Sequence, residues 1–222
     1  MFNGIFCYVL ICKKNHVKTI LLFGAGKSAT VLIDYLIAEA ETNEWNLLIA
    51  DANKEAILAK TNHSAFADAI QLDITDDVHR PSLIAIADIV ISMMPPALHF
   101  LIAKDCVLYG KHLLTASYLD EPIKSLQKDI DNKQLLFLCE MGLDPGIDHM
   151  SAMQIIDGIK AAGGTVSSFK SHCGGLVAPE SDDNPWHYKI SWNPRNIVMA
   201  GKAGAVYKLN GHIVKEKYEE LF

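Results

Sequence analysis

The sequence of 222 residues contains few arginines and few cysteines, and each shortage excludes a class of protein. The only arginines are Arg80 and Arg195, and the formal net charge of −6 argues against the broad basic surface that nucleic-acid binding requires. The five cysteines form no Cys-x-x-Cys pair, which argues against a disulfide framework and against structural zinc. There is no His-Glu-x-x-His pattern either, so we predict no metal site.

Long apolar runs are also lacking, and none reaches the length that a bilayer requires. The apolar segment Met1–Cys12 precedes Lys13 and Lys14, whereas a secretory signal carries its positive charge first. We therefore expect a cytoplasmic protein without membrane association. Residues 1–17 are interpreted as an N-terminal extension outside the fold, with a membrane anchor as the less favoured alternative.

Six short apolar runs follow, most of them separated by a helix-like segment. Runs without polar alternation indicate strands that are buried on both faces of a parallel sheet. Residues 18–142 are therefore predicted to form an α/β, doubly wound parallel sheet of the Rossmann kind. The runs are Thr19–Phe23, Asn46–Ala50, Ala69–Leu72, Asp88–Ser92, His112–Ser117 and Gln134–Cys139.

The pattern changes after Gly142, where residues 143–222 suggest a second domain. A helix is predicted at Ile147–Ala162, and Asn210-Gly211 marks a β-hairpin. We interpret this region as part of an α+β substrate-binding and dimerisation domain. Its strand-like runs are Thr165–Cys173, Tyr188–Trp192 and Ala205–Leu209.

The turn after the first run, Gly24–Ala29, fits the G-x-G-x-x-G/A fingerprint in the strand-to-helix context that dinucleotide binding demands. It also resembles the end of a Walker A loop, but that loop needs a glycine where Leu21 stands. A purely structural glycine turn remains the alternative. The coenzyme contacts predicted from this turn are Gly24, Gly26, Lys27 and Ser28.

Acidic and polar residues end the next three runs. Asp51 is placed to bind both ribose hydroxyls, which favours NAD over NADP, and a helix N-cap is the less favoured alternative for this Asp. Asp73 is predicted to border the adenine and Ser92 the nicotinamide side. The cofactor predicted from these residues is NAD, with NADP as the alternative.

Two loops carry the groups suited to proton transfer. The first, 142–149, contains Asp144, Asp148 and His149, and the second contains His172 and Cys173. The alternatives are that the two aspartates are turn or capping residues and that Cys173 is a small buried hydrophobe.

At these residues the sequence resembles the saccharopine dehydrogenase family, in its L-glutamate-forming branch. The matching stretches are Gly-Leu-Asp-Pro-Gly-Ile-Asp-His at 142–149, Cys-Gly-Gly-Leu at 173–176, Ala-Pro-Glu at 178–180, Asn-Pro at 184–185, Tyr-Lys-Ile-Ser-Trp at 188–192 and Ser-Tyr at 117–118. The resemblance implies a nicotinamide-dependent oxidoreductase of lysine metabolism. It would oxidise the secondary amine saccharopine and release L-glutamate and aminoadipate semialdehyde, usually as a homodimer.

The resemblance also implies site residues. Asp144, Tyr118 and Cys173 would be catalytic, and Leu143, Asp144 and Pro145 would lie beside the coenzyme. The implied substrate contacts are Ser117, Tyr118, His172, Cys173, Gly174 and Arg195, although an ordinary surface ion pair is an equal alternative for Arg195.

Two departures from the family pattern leave alternatives open. Several relatives use NADP and carry a basic residue where this chain has Asp51. The family also continues beyond the position of Phe222, so we expect 143–222 to be a truncated domain. The alternatives to saccharopine oxidation are a related amine or imine dehydrogenase with another amino-acid substrate, and a catalytically inactive dinucleotide-binding chain.

Overall fold

A computed structural model describes residues 17–172, 177–189 and 204–220. Contacts divide the chain into two compact units, with the boundary between Val166 and Ser167. The predictions made for residues 1–16, for the catalytic and substrate positions Cys173 and Gly174, and for Arg195 lie outside the described residues.

The first unit contains a six-stranded sheet in the order β3-β2-β1-β4-β5-β6, with every neighbouring pair parallel. The order reverses between the central strands β1 and β4, which is the switch point of a doubly wound fold. The Rossmann prediction is therefore confirmed. The strands are β1 (Thr19–Phe23), β2 (Asn46–Asp51), β3 (Ala67–Gln71), β4 (Ile89–Ser92), β5 (His112–Thr115) and β6 (Phe137–Leu138).

Helices connect these strands and continue beyond the last one. A short 3₁₀ turn, Lys27–Ala29, precedes the first helix. The helices are α1 (Thr30–Asn43), α2 (Lys54–Thr61), α3 (His79–Ile86), α4 (Pro96–Tyr109), α5 (Glu121–Lys124), α6 (Gln127–Asn132) and α7 (Ile147–Ala161).

The central strand β1 explains why apolar runs without alternation predicted this sheet. All five of its residues are buried. Leu21 and Phe23 pack into one core cluster, and Ile20 and Leu22 pack into another. Because successive side chains of a strand point to opposite faces, both faces of the sheet are covered.

The prediction was less accurate at the edge of the sheet and beyond it. β6 has two residues rather than the six of Gln134–Cys139, because it is an edge strand that pairs only with Leu113 and Leu114 of β5. The strand predicted at Thr165–Cys173 is wrong for its described part: residues 165–172 are irregular and exposed. These residues have strand-like composition, but no described strand offers them a ladder of hydrogen bonds.

The second unit contains the predicted hairpin, formed by β7 (Ala205–Leu209) and β8 (His212–Glu216). Asn210 and Gly211 both have positive φ angles, 51° and 85°, as a two-residue hairpin turn requires. Of the strand predicted at Tyr188–Trp192, only Tyr188 and Lys189 are described. Short 3₁₀ turns lie at Pro179–Ser181 and Tyr218–Glu220. Within the described part of the chain, no helix could cross a membrane.

Candidate functional site

The glycine-rich turn lies directly after β1, at the central switch point of the sheet. Gly24 has a φ angle of +98°, and a Cβ there would lie 3.1 Å from the backbone of Met93, so a side chain would be strained. A Cβ on Gly26 would meet no atom within 4 Å. Gly24 therefore shapes the turn, whereas Gly26 leaves open space beside the backbone.

The Asp51 carboxylate accepts two backbone hydrogen bonds, and one of them comes from the glycine-rich turn. Its Oδ2 lies 2.7 Å from the amide nitrogen of Ala25, and its Oδ1 lies 2.9 Å from that of Asn53. The N-cap of α2 is Asn53, whose side chain accepts from the amide of Ala56. The alternative of Asp51 as the helix N-cap is therefore wrong.

Two lysines lie at the same turn. Lys27 begins the 3₁₀ turn and is exposed, as is Ser28. The ammonium group of Lys60, from α2, donates to the carbonyl of Gly26 and, at 2.8 Å, to Oγ1 of Thr30. The turn thus presents positive charge and open backbone, a combination that suits a pyrophosphate at the start of α1.

Asp73 lies just after β3, as predicted, and borders an open depression of 530 Å³ that Leu72 and Leu83 also line. Its Oδ1 accepts from the amide of Thr75 at 2.8 Å and from the hydroxyl at 2.7 Å. These hydrogen bonds, the backbone one above all, lower the pKa of Asp73. The Asp73 carboxylate therefore stabilises a local turn. Its contact with an adenine remains a prediction.

Ser92 ends β4 but is fully buried, and its hydroxyl lies 2.8 Å from Nδ1 of His99. The other ring nitrogen of His99, Nε2, lies 2.8 Å from the hydroxyl of Ser117, just beyond β5. In this structure the Ser92 side chain therefore faces His99 rather than solvent, and its predicted coenzyme contact remains untested.

Tyr118 and Asp144 meet beyond the end of β5. The Tyr118 hydroxyl donates to Oδ1 of Asp144 at 3.1 Å, and both residues are exposed. Partial burial raises the pKa of Tyr118, and the hydrogen bond to Asp144 and its negative charge raise it further. The structure therefore brings together two of the three residues assigned catalytic roles.

The loop that carries Asp144 is held against β5 and by its own backbone. The amide of Met141 donates to the carbonyl of Thr115, and the amide of Gly142 donates to that of Pro145. Pro145 is buried in this turn, whereas Leu143 is exposed. The loop therefore projects Leu143 and Asp144 outward, while Pro145 belongs to its base.

The two aspartates of this loop have different roles. Asp148 Oδ1 accepts from the amide of Gly146 at 2.9 Å and contacts Nδ1 of His149 at 2.6 Å. The hydrogen bond between Asp148 and His149 raises the pKa of His149, and the negative charge of Asp148 raises it further. Asp148 therefore supports the local turn, although the N-cap of α7 is Gly146. Asp144 also lies in a turn, but its described side-chain hydrogen bond is to Tyr118.

His172 is exposed and belongs to the second unit, which is described separately from the first. Sequence reasoning missed His99, whose partners are set by the ends of two neighbouring strands. The available signal was a histidine in the first turn of a helix, just after Pro95 and Pro96. Over the described residues, no group of three His, Cys, Asp or Glu side chains could hold a metal ion.

Two family models together match most of the chain. A model described as the saccharopine dehydrogenase NADP binding domain matches residues 20–138, and one described as the saccharopine dehydrogenase C-terminal domain matches residues 142–222. The chain belongs to the saccharopine dehydrogenase family. Its first domain therefore belongs to a class of domains that bind a nicotinamide coenzyme.

Individual relatives match along nearly the whole chain. Saccharopine dehydrogenase [NADP(+), L-glutamate-forming] of Saccharomyces cerevisiae is 38% identical over 92% of this chain, which spans 45% of that protein. Alpha-aminoadipic semialdehyde synthase of Arabidopsis thaliana is 35% identical over 91% of the chain, which spans 21% of that protein. The chain thus spans less than half the length of these relatives.

A solved structure is also similar. The apo saccharopine dehydrogenase (L-Glu forming) of S. cerevisiae matches with a TM-score of 0.77 and 36% identity. The match covers 92% of this chain and 45% of that one. At this identity the likeness extends beyond the fold to the family.

Proposed function

We propose that this chain supplies the coenzyme site, and part of the substrate site, of an oxidoreductase that acts on the CH–NH group of saccharopine. The observation that carries the proposal is the Tyr118–Asp144 pair, which lies beyond the carboxyl end of β5 in a sheet that also carries the glycine-rich turn. In doubly wound folds, ligands bind at that end of the strands. The family relationship supports this substrate class.

The proposed reaction converts saccharopine, NADP⁺ and water into L-glutamate, aminoadipate semialdehyde, NADPH and a proton. When bound, the coenzyme accepts a hydride from the carbon next to the amine. The amine proton must leave for the C=N bond to form. Water then adds to that carbon, the C–N bond breaks, and glutamate departs as the amine.

The described residues suit the proton transfers of this sequence. Asp144 offers an exposed carboxylate to accept the amine proton, and the Tyr118 hydroxyl holds that carboxylate in place. Because the pKa of Tyr118 is raised, the phenol stays protonated and serves as a hydrogen-bond donor. Ser117 adds a second hydroxyl beyond the same strand.

We propose NADP rather than NAD as the coenzyme. The sequence argument for NAD rested on the Asp51 carboxylate, but this carboxylate also has a structural role, because its two oxygens accept backbone hydrogen bonds from Ala25 and Asn53. Lys27 and Lys54 are exposed in the turn and just after β2, where they can offset the charge of a 2′-phosphate. The relatives named for NADP support the same choice.

Dinucleotide binding without turnover is the second candidate, and the arginines favour it. Saccharopine has three carboxylates, for which arginine is the preferred partner. Arg80 is unavailable, because it is buried in an ion pair with Asp105. The substrate contact predicted for Arg195 remains a prediction.

The test is to mix the purified chain with saccharopine and either NADP⁺ or NAD⁺ and to follow the absorbance of the reduced coenzyme. We expect turnover with NADP⁺, and at least a 100-fold lower kcat in Asp144→Asn, roughly the contribution of a general base. Asp157→Asn, which removes an exposed carboxylate from α7, should leave the rate unchanged. Coenzyme binding without turnover would favour the second candidate, and turnover with NAD⁺ alone would contradict the choice of NADP.

The remaining assignments are proposals as well. The resemblance supports an amino-acid substrate and a homodimer in the full-length family, and the acidic net charge argues against a nucleic-acid partner. We propose a cytoplasmic location on the cysteine pattern. Cys106 and Cys139, the cysteines among the described residues, are free thiols.

A further inference from the structure

His99 connects the ends of two neighbouring strands through its two ring nitrogens. It lies in the first turn of α4 and is only 2% exposed. Nδ1 contacts the hydroxyl of Ser92 at the end of β4, and Nε2 contacts the hydroxyl of Ser117 beyond β5, each at 2.8 Å. No other residue described in the chain hydrogen-bonds to this ring.

The surroundings of the ring favour neutral imidazole. Burial lowers the pKa of His99, and the charge of Asp120 opposes this effect only in part. Both partners of the ring are neutral hydroxyls, so no adjacent anion compensates a positive charge. The amino end of α4 carries a partial positive charge, which disfavours imidazolium further.

The tautomer follows from the burial of Ser92. Its hydroxyl proton needs an acceptor, since an unsatisfied buried donor is costly. Over the described residues, the only hydrogen-bond partner of this hydroxyl is Nδ1 of His99. Nδ1 is therefore the acceptor, and Nε2 carries the ring proton and donates it to the oxygen of Ser117.

We propose that His99 is a positioning residue, held by Ser92 as the neutral Nε2–H tautomer, which makes the Ser117 hydroxyl a donor towards an oxygen of the bound substrate. Because Ser117 accepts from the ring, its own proton is free for another acceptor. The described residues offer no such acceptor to Ser117, which is only partly buried. A carboxylate oxygen of an amino-acid substrate has the required chemistry, whereas an ammonium group does not. This inference rests on the proposed function.

The kinetic test compares two variants of His99, each of which can keep one of its two hydrogen bonds. The amide of Gln in His99→Gln reaches about as far as Nε2 and can still donate to Ser117, whereas that of Asn in His99→Asn reaches only the Nδ1 position, beside Ser92. We expect His99→Asn to raise the KM for saccharopine at least 10-fold, the loss of one hydrogen bond to a charged group. His99→Gln should raise it less than about threefold, with the NADPH dissociation constant near wild type in both. Equal KM values for the two variants would overturn the proposal.

A spectroscopic test does not depend on turnover. Long-range ¹⁵N–¹H correlation spectra of the ¹⁵N-histidine-labelled chain distinguish the tautomers, and the His99 signal is the one that is missing in His99→Gln. Because the pKa of His99 is lowered, we expect a neutral ring protonated at Nε2 at about pH 8. A charged ring, or one protonated at Nδ1, would overturn the proposal.

The two proposals can fail separately. If the wild-type chain binds NADPH without turnover, the saccharopine dissociation constant of the NADPH-loaded chain replaces KM in the comparison. A saccharopine dissociation constant that is higher in His99→Asn than in His99→Gln then supports the role of His99, although the proposed function has failed. Undetectable saccharopine binding by that chain would overturn both.

Discussion

The Asp51 carboxylate and the backbone of Ala25 are joined by a hydrogen bond of 2.7 Å, which ties the end of β2 to the glycine-rich turn after β1. The other carboxylate oxygen accepts from Asn53, at the start of α2. Asp51 therefore shapes the turn itself. This role is independent of any contact that it makes to a ribose.

Asp51→Ala should accordingly weaken the binding of NADPH and NADH by similar factors, about 10-fold each, because the turn loses a charge-assisted hydrogen bond. The measurement is the dissociation constant of each reduced coenzyme, followed by fluorescence. Asn53→Ala, which removes the cap of α2 but not the bond to Ala25, serves as the control and should affect the two constants little. Tighter NADPH binding in Asp51→Ala, with NADH unchanged, would show instead that Asp51 acts by repelling the 2′-phosphate.

The pKa of Tyr118 should fall in the Asp144→Asn variant. Burial raises this pKa first, and the hydrogen bond to Asp144 and its charge raise it further, because both disfavour a phenolate beside a carboxylate. The neutral amide of Asn removes the charge of residue 144 and leaves the contribution of burial and the smaller ones of Asp148 and Glu140. The change can be measured as the ultraviolet absorbance of phenolate during a pH titration, with Tyr118→Phe subtracted to isolate the signal. A phenol pKa that is identical in the two proteins would show that the pair is not formed in solution.

The Arg80 guanidinium has two carboxylate partners that differ in burial. Nε donates to the largely buried Asp105 at 2.7 Å, and Nη2 donates to the exposed Asp77 at 2.8 Å. Removing one partner of a buried pair leaves an uncompensated charge, so Asp105→Ala should lower the free energy of unfolding by about 3 kcal/mol. Asp77→Ala should lower it by less than about 1 kcal/mol. Urea unfolding measures both, and equal losses would contradict the buried role of Asp105.

The sheet could be predicted from the sequence because its central strands are buried on both faces, as in β1 and β2. The same reasoning is weak where burial is lost. β6 at the edge is shorter than its apolar run, and residues 165–172 form no strand despite strand-like composition. A strand exists only where a neighbour offers hydrogen bonds, and that neighbour is not visible in a local pattern.

The candidate site, like the sheet, could be predicted from the sequence only in part. Local spacing was enough to find the turn at Gly24 and Gly26, since a dinucleotide turn is continuous in sequence. The contact between Tyr118 and Asp144 depends on how a loop returns to β5, and neither spacing nor composition reports it. His99 was missed for the same reason, because one of its partners ends β4 and the other lies just beyond β5.

The proposed function requires a dinucleotide at the turn between β1 and α1, where Gly26→Ala would place a methyl group. The φ angle of Gly26 is −66°, and a Cβ there would meet no protein atom within 4 Å, so the variant should unfold at nearly the wild-type temperature. The added methyl group would occupy the space that we assign to the pyrophosphate. We predict saturable NADPH binding to the wild-type chain and at least 10-fold weaker binding to Gly26→Ala, a loss of about 1.4 kcal/mol. Equal NADPH affinity of the two folded proteins, or no NADPH binding by wild type, would contradict the account.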